Sequence, residues 1–183
     1  MTDRANPMDD LPGDLMIWVL IVSELLVFGA GLLAYLAVRL TDPAGFADAQ
    51  DHLHRVEAGV NTLILITSGW LAARGARAAE QHQQTTARLN LLAAASLGLV
   101  FLAIKGSEFA GLSALGISTE THTFYTFYFL LTGFHAAHVL AGVALLAGLS
   151  IRPTPDVTEN AVAFWHMVDL VWVILFPVIY LVH

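Results

Sequence analysis

Seven ionisable side chains interrupt the apolar stretches of this 183-residue chain: Glu24, Lys105, Glu108, His135, His138, His166 and Asp169. Imidazoles and carboxylates are ligands that iron, copper and zinc accept. A carboxylate beside histidines is also the arrangement that moves protons through a membrane. Such groups are expensive in hydrocarbon, so they face a bundle interior, a cavity or one another. Their spacing limits what each can reach. His135 and His138, His166 and Asp169, and Lys105 and Glu108 are i, i+3 pairs on helical faces. Glu24, Phe28, Gly31 and Tyr35 follow 4-3-4 spacing and form one stripe.

Three chemistries compete for these residues. A metal or haem site would draw on Glu24, His135, His138, His166 and Asp169, but the Glu-x-x-His spacing of di-iron bundles is absent. A proton path would need polar residues reaching both water phases, and span one stays apolar from Glu24 to Tyr35. A buried polar network that fixes helix register requires nothing more, and it is the expected role of the five residues. Lys105 and Glu108 sit near a span end, where an interfacial ion pair with a snorkelling lysine is expected.

The elements that must position these groups are membrane spans. Hydrophobic residues make up 57% of the chain and charged residues only 13%, against roughly a quarter charged in soluble domains. There is no cysteine, which excludes disulfides and thiolate metal sites. Eight Lys/Arg without a basic cluster argue against nucleic acid as a partner. Crossing the hydrocarbon takes about 20 apolar residues. Five segments qualify, at about 15–39, 60–79, 88–110, 124–150 and 161–182. Helices are expected because lipid leaves backbone groups no other partners. The fold expected is an all-α five-transmembrane-helix bundle, residues 15–183 as one domain, preceded by a polar cytoplasmic tail, residues 1–14. The tail lacks the positive flank of a cleaved signal peptide.

Arg4, Arg74, Arg77, Arg88 and Arg152 fall on one side of this arrangement, and Arg39 and Arg55 on the other. The positive-inside rule then puts the N-terminus in the cytoplasm and the C-terminus in the periplasm. At 1.5 Å per residue, Glu24, His135, His138, His166 and Asp169 all lie roughly 9–15 Å from the cytoplasmic face. Gly133, Ala137 and Ala141 form a small-residue stripe suited to close helix approach. Arg74, Arg77 and Arg88, with Trp165, are the candidate lipid contacts at the cytoplasmic leaflet.

Five segments carry a resemblance, in this order: WVLIVSELLVFGAGLLAYL, NTLILITSGWLA, LGLVFLAIKGSEF, TGFHAAHVLAGV and FWHMVDLVWVILFPVIYL. They resemble successive helices of subunit III of the haem–copper respiratory oxidases, over about residues 15–182. The combination of SEL, NTL, SEF, GFHxxHV and WHxVDxVW makes the likeness specific. The longer family members have seven helices. This chain resembles the five-helix form, found as subunit III of bacterial quinol oxidases and as an accessory protein associated with nitric oxide reductase. Its short loops lean towards the latter.

The resemblance implies an accessory subunit of the bacterial inner membrane. It would bind no haem or copper itself, pack on a haem-bearing catalytic subunit, hold phospholipid, and support proton uptake and sustained turnover. Glu24 matches the family's buried carbodiimide-reactive glutamate, and His138 the second histidine of GFHxxHV, which lies near it. His135, His166 and Asp169 match other motif positions with structural roles. The missing helix pair removes part of the family's lipid cleft. The rivals are a stand-alone membrane metal or haem enzyme, and an assembly factor or transporter.

Overall fold

A computed structural model describes residues 15–182. The polar tail 1–14 lies outside the described residues. The order is α1 (Leu15–Arg39), α2 (Pro43–Asp51), α3 (Arg55–Glu80), α4 (Gln84–Ala114), α5 (Thr123–Leu149) and α6 (Pro155–Phe176), closed by a π-helical turn, Pro177–Leu181. Five helices are long and apolar enough to cross a membrane: α1, α3, α4, α5, and α6 continued through the π turn. The shortest, of 25 residues, is about 37 Å long, more than the roughly 30 Å of hydrocarbon.

The first expected span coincides with α1. The others differ by up to six residues at their ends, because polar residues such as Arg55, Glu57, Gln84 and Asp156 extend the helices past the apolar stretch. The first connection is not wholly loop. Asp42 caps α2, accepting from the Gly45 N–H at 3.1 Å, and Pro43 opens the helix where no donor is needed. Phe46, Ala49 and Gln50 are its buried face.

α3, α4, α5 and α6 form a four-helix bundle in which α4 and α6 each contact both α3 and α5. α1 packs outside it, against α5 and α6. Only 17% of its most apolar window is buried, against 56% for the last span, so α1 is the peripheral helix. Its Glu24–Tyr35 stripe faces inward: Phe28 and Tyr35 are buried, and a Cβ on Gly31 would meet Leu131 of α5 at 2.7 Å.

The close helix approach is not where the small-residue stripe suggested. Ala137 and Ala141 are exposed, and Gly133 has nothing within 4 Å of a built Cβ. The tight contacts are at Gly98 of α4 and Gly142 of α5, whose missing side chains leave room for the Trp165 indole of α6. Polar ties across α3 are also internal. Ser68 Oγ donates to Ala94 O at 2.8 Å, Asn61 Nδ2 to Phe101 O at 3.3 Å, and Trp172 Nε1 to Thr62 Oγ1 at 3.0 Å. Such bonds substitute for the hydrophobic drive that is absent between helices in lipid.

Pro177 ends α6 because it has no N–H to continue the ladder. The chain widens instead, with Val182 N donating to Pro177 O. Gln50 Nε2 donates to Ile179 O at 2.7 Å and Arg39 donates to Val182 O. The ends of α1, α2 and the π turn are thereby tied together, and Tyr180 is placed inside the bundle.

Candidate functional site: intramembrane polar groups

The expected network of five residues resolves into three separate groups. Among the described residues, no hydrogen bond or ion pair links Glu24 and His138 to His135, or to His166 and Asp169. The reason is azimuth. Residues three apart on a helix differ by about 60° in direction, enough to aim at different neighbours.

Glu24 of α1 and His138 of α5 form the first group. Glu24 Oε2 lies 3.2 Å from His138 Nε2, within ion-pair reach though short of hydrogen-bond geometry. Their side chains are 26% and 16% exposed, so the pair lies at the edge of the bundle and not in its core. His138 Nδ1 lies 2.9 Å from Phe134 O. A carbonyl oxygen only accepts, so Nδ1 carries a hydrogen. The contact with Glu24 is therefore attractive only when one further proton is held between Nε2 and the carboxylate.

His135 is fully buried, and neither ring nitrogen has a hydrogen-bond partner among the described residues. Its imidazole stacks on Trp172 with centroids 5.1 Å apart and meets the edge of Phe101 at 5.6 Å. It packs as an aromatic plate between helices. His166 and Asp169 share a face of α6, with His166 Nδ1 3.8 Å from Asp169 Oδ2. Asp169 leans on α3, where a Cβ on Gly69 would lie 2.2 Å from Oδ2.

Lys105 and Glu108 do pair, at 2.7 Å, but not as a snorkelling pair at the interface. Lys105 is 2% exposed and Glu108 8%. The ammonium has three N–H groups and three acceptors: Glu108 Oε2, Tyr180 Oη and Tyr128 Oη at 3.3 Å. Tyr180 Oη in turn donates to Glu108 Oε1 at 2.9 Å. The rings of Phe109, Tyr128, Trp172 and Tyr180 surround the ammonium, each centroid 5.0–5.5 Å away. Buried charge is tolerable when every donor is met in this way. Glu108 also lines a cleft of about 410 Å³ with His52, His54 and Glu57, which opens towards the α2 side. Sequence reasoning missed Tyr128 and Tyr180. The signal available was Tyr128 and Tyr180 each at the depth of Lys105 in its own span.

Trp165 is not a lipid contact. It is fully buried between Gly98 and Gly142. Arg74, Arg77 and Arg88 are exposed at the opposite end from α2, and Arg74 lies over the Trp70 ring at 4.8 Å. On the α2 side, Asp42 Oδ2 and His122 Nε2 are 3.1 Å apart, while His122 Nδ1 accepts from the Phe124 N–H and caps α5. The His122 hydrogen bond, then that of Gly45, holds the Asp42 carboxyl below the usual carboxylate range. No three His, Cys, Asp or Glu side chains converge on a metal position among the described residues.

The class these features define is a multi-pass helical membrane protein whose intramembrane polar groups tie helices to one another. The chain belongs to the cytochrome c oxidase subunit III family, whose model matches residues 13–183. It is 33% identical over 175 residues to cytochrome c oxidase subunit 3 of Corynebacterium diphtheriae, covering 90% of this chain and 85% of that protein. It is 31% identical over 170 residues to the subunit 3 of Synechocystis sp., covering 88% and 72%. A haem–copper oxidase subunit I+III of Aeropyrum pernix is 29% identical over 184 residues, covering 90% of this chain and 22% of that longer protein. Five spans and bacterial relatives of this kind place the chain in the bacterial inner membrane.

Proposed function

We propose that this chain is the accessory subunit III of an oxygen-reducing haem–copper oxidase, seated on the haem-bearing subunit I and binding neither haem nor copper itself. One observation carries the reading beyond family membership. The three span histidines diverge, His138 to Glu24, His135 into aromatic rings and His166 outward, which supports a chain whose imidazoles do not form one ligand set. The fused subunit I+III of the Aeropyrum relative supports a direct contact with subunit I. The relatives' names support cytochrome c oxidase over the nitric-oxide-reductase association that the short loops suggested.

The N-terminus is cytoplasmic in this reading, because Arg74, Arg77, Arg88 and Arg152 share one end of the bundle. Phospholipid is the expected non-protein ligand, with those arginines drawing anionic head groups. The Glu24–His138 pair, 3.2 Å apart at the edge of the bundle, is the group that would link this subunit to proton uptake. Purification of the tagged chain in mild detergent tests the proposal. Haem and copper should travel with it in proportion to subunit I and be absent from the separated chain. Stoichiometric metal on the separated chain, or no haem subunit in the preparation, would overturn it.

A further inference from the structure

The chain has four tyrosines, Tyr35, Tyr125, Tyr128 and Tyr180, and their hydroxyls are used differently. Tyr35 Oη accepts from Gln50, and Tyr125 Oη donates to the Ala49 carbonyl. Tyr128 Oη accepts from Lys105. Tyr180 Oη donates to a carboxylate, 2.9 Å from Glu108 Oε1 and 3.1 Å from Oε2. No hydrogen bond of that length joins another tyrosine to a carboxylate among the described residues. A carboxylate can take up the phenolic proton, whereas a peptide carbonyl only accepts the hydrogen bond.

Holding a buried ammonium does not require this. Lys105 needs only acceptors, and a hydroxyl is one whichever way its hydrogen points. A phenolic hydrogen aimed at a base suits a different chemistry, the loss of an electron together with a proton. A phenol oxidised with its hydrogen in place becomes a cation, which a buried site beside the Lys105 ammonium disfavours. With Glu108 at hydrogen-bond distance the proton leaves with the electron, and the ring becomes a neutral phenoxyl radical. Its oxygen still accepts the Lys105 hydrogen bond. A proton kept on Glu108 would deprive Lys105 of its counter-charge. Glu108, however, lines the cleft of about 410 Å³ with His52, His54 and Glu57. Water in a space of that size takes the proton on, and the cluster returns to its starting charge.

We infer that Tyr180 is a redox-active tyrosine, which yields one electron to a strong one-electron oxidant, a high-valent metal centre or a peroxyl radical, and its phenolic hydrogen as a proton to Glu108. The oxidant is reduced by one electron, the Tyr180 O–H bond breaks, and an O–H bond forms on the Glu108 carboxylate. Tyr180 is fully buried, which shields the radical from water. Leu181, next in the chain, is 48% exposed, so an oxidant at that end of the bundle comes close to the ring. Trp172 and Tyr128, with centroids 6.4 and 6.2 Å from the Tyr180 ring, are the oxidisable neighbours to which the hole can pass.

The test illuminates the purified full chain in detergent with a ruthenium(II) polypyridyl and persulfate, which together generate a ruthenium(III) oxidant. Frozen samples are read by electron paramagnetic resonance. A phenoxyl signal is expected, and Tyr180→3-fluorotyrosine should add fluorine splitting to it. The same replacement at Tyr35, Tyr125 or Tyr128 should leave the signal unsplit. Glu108→Gln should lower the radical yield at least fivefold. Because Glu108→Gln also removes the counter-charge of Lys105, the fluorinated chain, which keeps hydroxyl and packing, decides the site. A phenoxyl signal without fluorine splitting from position 180, a tryptophan radical alone, or no radical under light that oxidises free tyrosine would overturn the inference. An undiminished yield in folded Glu108→Gln would overturn the role of Glu108 as proton acceptor. The chain alone suffices for these measurements, so none of the outcomes bears on the subunit III reading.

Discussion

Lys105 and Tyr180 are 75 positions apart in the chain and hydrogen-bonded inside the membrane. The contact exists because Pro177 opens a π turn that places Tyr180 in the bundle, where it reaches both Lys105 and Glu108. The C-terminal turn therefore completes the coordination of a buried charge, and several consequences can be measured.

Lys105→Met leaves the Glu108 carboxylate buried without its cation. It should destabilise the separated chain by about 3–5 kcal/mol, the usual cost of breaking a buried pair. The double variant Lys105→Met/Glu108→Leu should be more stable than Lys105→Met alone. Thermal melts in one detergent decide this, and a double variant no better than the single would show that the pair is not coupled.

Tyr180→Phe removes one acceptor of the ammonium and a donor to Glu108 without changing the ring packing. A loss of about 1–3 kcal/mol is expected, the penalty for an unmet buried polar group. Tyr125→Phe makes a useful control, because its hydroxyl makes only a 3.3 Å contact with Ala49 O. It should cost less.

Gly142→Ala puts a methyl 2.4 Å from a Trp165 ring carbon. Overpacking of this kind costs about 1–3 kcal/mol. Trp165 emission should shift as well, and Gly106→Ala, with nothing within 4 Å, should leave the emission unchanged and the stability equal or higher.

Asp42 links the caps of α2 and α5 through His122, and its carboxyl is held below the usual range. A carboxyl lowered in the folded state adds stability above its unfolded pKa of about 3.9, and that stability fades as pH falls through the folded value. Asp42→Ala should thus melt lower than wild type at pH 7, with the difference shrinking below about pH 4. A difference that stays constant from pH 7 to pH 3 would assign the effect to helix propensity instead.

Carbodiimide should label Glu24 in preference to Glu108 at neutral pH. Glu24 is a quarter exposed at the bundle edge, whereas Glu108 is held by Lys105 and Tyr180. Peptide mapping by mass spectrometry reads the ratio, and the reverse preference would refute the placing of Glu24 at the accessible edge.

What the sequence determined by itself was whatever depends on composition and local period. Five long apolar segments can only be helices in lipid, and i, i+3 spacing made Lys105–Glu108 and His166–Asp169 neighbours before any packing was known. The motif resemblance added the pairing of Glu24 with His138, on the first and fourth spans. Packing decided the rest. Depth along a helix is additive in 1.5 Å steps, but the direction a side chain faces depends on which helices surround it. That is why His135 and His138, at one level, meet Trp172 and Glu24 respectively. It is also why Lys105 finds two tyrosines from other spans instead of the interface, and why Trp165 disappears between two glycines. These contacts join residues up to 114 positions apart, from Glu24 to His138, and no local pattern encodes them.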